Sequence, residues 1–115
     1  MATPNLNLPE LVENQAQKYL THNQALNVLD GLVQLSVKDR DLTTPPVEPA
    51  DGDRYIVAAA ATGAWAGHEM EIAHYVFPTG WVFHAPARGW LCFVVDEMKL
   101  QIWNGSEWTN LAAYL

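Results

Sequence analysis

The chain has 115 residues, 13 acidic side chains against 6 Lys and Arg, and a formal charge of −7, at 12.8 kDa and a pI near 4.8. Half of its residues are hydrophobic and 17% charged, which excludes a disordered polyelectrolyte, and the lack of a Lys/Arg cluster removes the counterion-release term behind most nucleic-acid affinity. Residues 1–7 have no basic n-region or apolar core of a secretory leader, and no apolar stretch approaches the roughly 20 residues of a bilayer span, so a soluble product made in the cytosol is expected, without membrane insertion.

Residues 1–14 carry Pro4 and Pro9 among the spaced Leu6, Leu8 and Leu11, the pattern of an extended arm leading into a short helical turn. Thr21-His22-Asn23-Gln24 has the capping-box spacing that satisfies two orphan N–H groups, and it predicts a helix start there. The helix should run to Val37 or Lys38. Ala25, Val28, Leu32 and Leu35 fall at alternating steps of three and four, with Leu26, Leu29 and Val33 on the adjoining stripe. Such a wide apolar face suits either packing on the chain's own sheet or a seam shared between subunits.

Three prolines in residues 43–50 predict a stiff linker. Beyond it, Asp51-Gly52 marks a turn, and strand patterning occupies 54–60, 72–77, 81–84, 90–95, 99–103 and 107–111. Residues 61–70 form a loop carrying Trp65. Asn104-Gly105 is the strongest hairpin signal. The run 90–95 is apolar at every position, which predicts cover on both faces.

Chemistry-bearing constellations are sparse. His22, His68, His74 and His84 show no metal-ligand spacing, although His74 and His84 flank one hairpin and would be cross-strand neighbours. Asp51-Gly52-Asp53 begins like a calcium loop, but Thr62 stands where its bidentate Glu belongs. Glu69 and Glu71 share a strand face without any further glycosidase feature. Cys92, the single cysteine, lies in the apolar run and reads as a buried inert thiol. No nucleophile motif, phosphate loop or dinucleotide fingerprint is present, so no enzyme, no cofactor and no metal are expected. Five Trp and four Tyr exceed what a small core takes in, so Trp81, Trp90, Trp103 and Trp108, all near turns, are candidate glycan contacts as well as candidate interface plugs.

Leu8-Pro9-Glu10, Gln15-Ala16-Gln17-Lys18, Thr21-His22-Asn23-Gln24-Ala25-Leu26, Leu29-Asp30 and Val33-Gln34-Leu35-Ser36-Val37 together resemble the N-terminal part of an uncharacterised family, DUF2793. That family occurs in tailed phages and gene transfer agents of alphaproteobacteria. The likeness continues through Pro46, Asp51-Gly52-Asp53-Arg54-Tyr55-Ile56-Val57, Gly63-Ala64-Trp65-Ala66-Gly67, Ile72-Ala73, Gly80-Trp81, Gly89-Trp90 and Trp103-Asn104-Gly105. The segments Glu69-Met70-Glu71 and His74-Tyr75-Val76 depart from it. The resemblance implies a structural virion protein, a tail fibre or host-attachment component, and commonly a homotrimer.

The expectation is therefore an α+β homotrimer: an N-terminal arm and helix (1–42), a proline-rich linker (43–50) and a small antiparallel β-meander domain (51–115). Ala25, Val28, Leu32 and Leu35 would form the oligomer seam, and Leu6, Leu8 and Leu11 would dock into other tail or capsid proteins. Host surface polysaccharide is the candidate outside partner. A head fibre or capsid decoration protein, and a carbohydrate-binding module without virion attachment, are the alternatives.

Overall fold

The structure is a computed structural model that describes residues 2–11 and 18–115. It is a small α+β protein. Among the described residues there is one α-helix, α1 (Lys18–Leu32), and seven strands: β1 (Ser36–Val37), β2 (Arg54–Ile56), β3 (Ile72–Val76), β4 (Gly80–His84), β5 (Leu91–Val94), β6 (Lys99–Trp103) and β7 (Trp108–Asn110). The chain divides into two compact units, Met1–Val33 and Gln34–Leu115, so the boundary lies earlier than the expected 42.

The first unit is held by polar groups. Asn23, Asn27 and Asp30 recur at i, i+4 and i+7, which puts them on one face of α1. The Asn23 side-chain amide pairs with the Leu11 backbone in both directions, each at 3.0 Å, and Asn27 Nδ2 donates to Glu10 Oε2 at 3.1 Å. The Asn5 N–H donates to both Asp30 carboxylate oxygens, at 3.1 and 2.9 Å, and the Leu6 N–H donates to Oδ1. The segment that these bonds hold is a closed loop, with an Ala2–Pro9 bridge and a 3.0 Å bond from the Thr3 N–H to the Leu8 carbonyl. The expected extended arm is thus folded back on itself at residues 2–11. The helical turn expected near residue 14 lies outside the described residues.

Helix α1 also differs from expectation at both ends. It is already formed at Lys18, so Thr21 sits inside it, and the Thr21/Gln24 pair is not a capping box. It stops at Leu32 because Gln34 adopts a left-handed conformation, with φ of 54°, which breaks the helical hydrogen-bond series. Residues 35–37 then serve a sheet. The Leu35 carbonyl accepts from the Phe93 N–H at 3.1 Å, the Val37 carbonyl accepts from the Val95 N–H at 2.9 Å, and β1 pairs in parallel with β5.

The second unit holds two sheets, one in the order β1-β5-β6-β7 and the other β2-β3-β4, rather than a single meander. All pairings except β1–β5 are antiparallel. One core gathers Leu35, Val37, Ile56, Ile72, Cys92, Val94 and Trp108. Alternate residues of β2 and β3 point the other way, so Tyr55, Val57 and Ala73 join Trp65 in a second core. Burying both faces of a three-stranded sheet in this way is what lets so short a chain hide large aromatics.

The proline-rich segment is part of this unit and not a linker between domains. The Leu42 carbonyl accepts from the Ala58 N–H at 3.2 Å, and the Thr43 carbonyl accepts from the Thr62 N–H at 2.8 Å. Leu42 itself packs on the second core. The run 90–95 departs from expectation too: Cys92 and Val94 are fully buried, while Leu91 and Val95 are each nearly half exposed. One face of β5 is covered, and on the other Phe93 is half-buried between the partly exposed Leu91 and Val95.

Candidate functional site

A shallow polar and aromatic concavity is built by the strongest turn signal of the sequence. Strands β6 and β7 are in register at Trp103–Trp108, which leaves 104–107 as a tight connection. Asn104 shapes it: its Oδ1 accepts from the Ser106 N–H at 2.9 Å and the Glu107 N–H at 3.0 Å, an Asx turn. Gly105 has φ of 103°, and a Cβ there would lie 2.8 Å from Arg88 Nη2. The left-handed dihedral favours glycine, and a side chain there would also displace the Arg88 guanidinium.

The chain then returns to the same turn. Asn110 caps the 3-10 helix Leu111–Tyr114 through a 2.9 Å bond from the Ala112 N–H, and this short helix carries Tyr114 back toward Asn104. There Asn104 Nδ2 donates to the Tyr114 hydroxyl and to Thr109 Oγ1, each at 3.3 Å. From the other side, Arg88 Nε donates to the Asn104 carbonyl at 3.2 Å. Arg88, Trp103, Asn104, Ser106 and Tyr114, floored by Gly89 and Ile102, line a cleft of about 480 Å³. Its volume is in the range of small-molecule sites.

Of the four tryptophans named as glycan contacts, only Trp103 lines this cleft. Trp108 is buried, its indole N–H donating to the Met70 carbonyl at 2.9 Å, so it is a core residue and not a surface contact. Its ring braces Trp103 edge-on at 5.4 Å. Trp90 is half-buried against the first core. Trp81 is half-buried among Tyr75, Trp65 and Tyr55, with centroids 5.2, 5.3 and 6.0 Å away. Trp65 and Trp108 are buried, and Trp81, Trp90 and Trp103 are half-buried. Two cores instead of one absorb them.

The seam residues part company. Leu35 is buried in the first core of the β unit and cannot belong to a helical seam, because the helix ends three residues before it. Ala25 and Val28 are exposed on α1, Leu32 is half-buried, and Leu29 and Val33 add exposed apolar surface at 49% and 43%. Leu6, Leu8 and Leu11 are each half-buried.

Two titratable clusters lie elsewhere. His74 Nδ1 and His84 Nε2 are 3.3 Å apart, with His74 buried, so the cross-strand proximity expected from the hairpin is present. Burial pulls the His84 pKa down, and nearby Glu71 opposes this. Glu71 also meets His68 Nδ1 at 2.7 Å, and His68 stacks flat on Phe83 at 3.6 Å. Asp39, Asp41 and Asp96 bring carboxylate oxygens within 4.8 Å of one another. Burial and then the charges of Asp39 and Glu97 raise the Asp96 pKa. Cys92 is buried, and burial pushes its thiol up to about 12, far from the thiolate that nucleophilic chemistry needs.

Arg88 and Tyr114 were not singled out from sequence. The Asn104-Gly105 signal marks the turn, but the convergence of Arg88 and Tyr114 on it is a tertiary event. Among the described residues no helix is long and apolar enough to cross a membrane.

No curated protein matches the chain. A family profile does match residues 22–109, that of a protein of unknown function (DUF2793); it covers most of α1 and the β unit up to Thr109. By that match, the chain belongs to the DUF2793 family.

Proposed function

We propose that this chain is a structural attachment component of a virion, of tail-fibre type, in a tailed phage or gene transfer agent. It assembles as a homotrimer through α1 and displays its β unit outward. One observation carries the reading. Among its described side chains the first unit buries no hydrophobic residue, its buried positions being Thr3, Asp30 and Gly31, while Val28, Leu29 and Val33 stand exposed. The described side chains of this unit thus form no apolar core and supply little of the main favourable term of folding. Copies of the same stripe, closed around an axis, supply it.

The seam in this reading is Ala25, Val28 and Leu32, with Leu29 added and Leu35 removed. Leu6, Leu8 and Leu11, on the loop that Asp30 holds, are the surface offered to another virion protein. The likeness to a phage family supports the virion setting. A carbohydrate-binding module is a second reading, favoured by the aromatic cleft at Trp103, and a head fibre or capsid decoration protein would use the same scaffold.

Sedimentation at micromolar concentration tests the assembly. The expected species has three times the 12.8 kDa chain mass, and Val28→Asp, at a position 41% exposed, should reduce it to one chain with the far-UV spectrum of the β unit intact. A wild-type protein that sediments as a single chain sinks the proposal. Density for the chain on intact particles separates a tail location from a head location.

A further inference from the structure

We infer that the cleft at the Asn104 turn binds a carboxylated pyranose, a hexuronate or related acidic sugar. Arg88 holds the carboxylate, and the rings of Trp103 and Tyr114 carry the sugar face. The inference rests on the attachment reading only for the origin of the ligand, a host surface polysaccharide, and the site can be tested whether or not the protein assembles.

Three features converge. First, the Arg88 guanidinium is held in place, with Nε spent on the Asn104 carbonyl at 3.2 Å and the Gly105 backbone against it. Among the described residues Arg88 has no carboxylate partner, whereas Arg40 is paired with Glu97 at 3.0 Å. A guanidinium fixed on one edge presents its remaining N–H groups as a planar fork, which matches a carboxylate in bidentate fashion. In a chain of net charge −7 an unpaired cation beside a cleft is a local exception, and charge complementarity selects an anion.

Second, two aromatic side chains line the same space as that cation. The C–H groups on one face of a pyranose are apolar and slightly positive, so they favour the negative face of an aromatic ring. Trp103 is braced by Trp108, and Tyr114 is tethered through its hydroxyl to Asn104. Both rings are therefore positioned before a ligand arrives, which lowers the entropy cost of binding. Third, the size of about 480 Å³ suits one or two sugar units and is too small for a folded partner. A neutral sugar would use the rings and leave the fork unmet. A sugar phosphate would meet the charge, and the test below separates it.

The family match ends at Thr109, while the cap and ring that complete the cleft, Asn110 and Tyr114, lie beyond it. Acidic-sugar binding is assigned to this chain.

The test is a titration of the full chain, labelled with nitrogen-15, with methyl glucuronide, methyl galacturonide and N-acetylneuraminic acid. Methyl glucoside and glucose 6-phosphate serve as comparisons. At least one acid should move the Trp103 indole and Arg88 side-chain resonances with a dissociation constant on the order of 1 mM, the strength a single sugar finds in an open site. Arg88→Gln should weaken that acid at least tenfold and leave the glucoside unchanged. Arg88→Lys, which keeps the charge and loses the fork, should fall between, and Tyr114→Ala should weaken every sugar. Unshifted resonances elsewhere in the spectrum establish that each variant is folded. No response to any acid at about ten times that concentration overturns the inference, as does equal affinity for the glucoside, a preference for glucose 6-phosphate, or binding that survives both Arg88→Gln and Tyr114→Ala. Sedimentation of the same samples reports on the trimer separately, so either proposal can fail without the other.

Discussion

The two units of this chain solve opposite problems with opposite means. Residues 34–115 enclose two apolar cores on the two sides of β2-β3-β4 and place Trp65, Ile72 and Val94 wholly out of solvent. The first unit instead holds a loop to a helix with Asn23, Asn27 and Asp30, and among its described side chains Val28, Leu29 and Val33 stand exposed. Hydrogen bonds exchanged with water contribute little net stability each, about 1 kcal/mol, so the described part of the first unit has geometry without much driving force. The second has the driving force and hides its own oil. That difference is the physical ground for assigning self-association to the first unit and ligand binding to the second.

The comparison can be broken most severely in the second unit. Trp108→Ala removes a buried indole and its bond to the Met70 carbonyl, and should cost about 3–5 kcal/mol. Chemical denaturation followed by near-ultraviolet circular dichroism would show it. A loss below about 1 kcal/mol would mean that the first core is not what holds this unit.

A smaller and local effect is expected in the first unit. Asp30→Ala deprives the Asn5 and Leu6 N–H groups of their acceptor, at a cost of about 1–3 kcal/mol. Hydrogen exchange should show protection lost at those two amides, with the denaturation midpoint of the β unit unmoved. Coupled loss in both units would erase the distinction drawn above.

The finest test is acid. Burial would raise the Asp30 pKa, but the Thr3 hydroxyl and the Leu6 and Asn5 donors outweigh it, so the folded value lies below the ordinary 3.8. Its contribution is present above that value and is lost as pH falls below it. His84 is also depressed, by burial, from an ordinary 6.5. The unfolded chain therefore takes up that proton first, and the β unit should begin to lose stability as pH falls below 6.5. Two separate windows are expected, the β unit softening from about pH 6.5 and the N-terminal loop releasing below about pH 4. A β unit whose stability is flat between pH 7 and 5 would contradict the burial of the His74–His84 pair.

Much of the strand pattern was legible in the sequence. Residues 99–103 were expected as a strand and are β6, and the expected strands 72–77, 81–84 and 107–111 contain or nearly match β3, β4 and β7. Alternation and turn chemistry are local and survive in the fold. The helix was misjudged because Leu35 and Val37 continue an apolar helical period while their backbone groups are claimed by β5, a partner more than 50 residues away. Run 90–95 shows the same limit, since unbroken apolarity does not say which face finds cover. In the cleft, Trp103 and the Asn104-Gly105 turn could be read in advance. Arg88 and Tyr114 could not, being ordinary exposed residues until the 3-10 helix returns.

Composition and pattern alone determined that this chain folds, that its second part is built of short strands, and that it carries more apolar surface than one small core needs, because those properties depend on residue type and local spacing. Which apolar residues are buried, where the helix stops, and which cation meets which ring were decided only by tertiary structure. Burial and convergence depend on distant segments competing for the same backbone groups and the same dry volume, and no local window of sequence contains that competition.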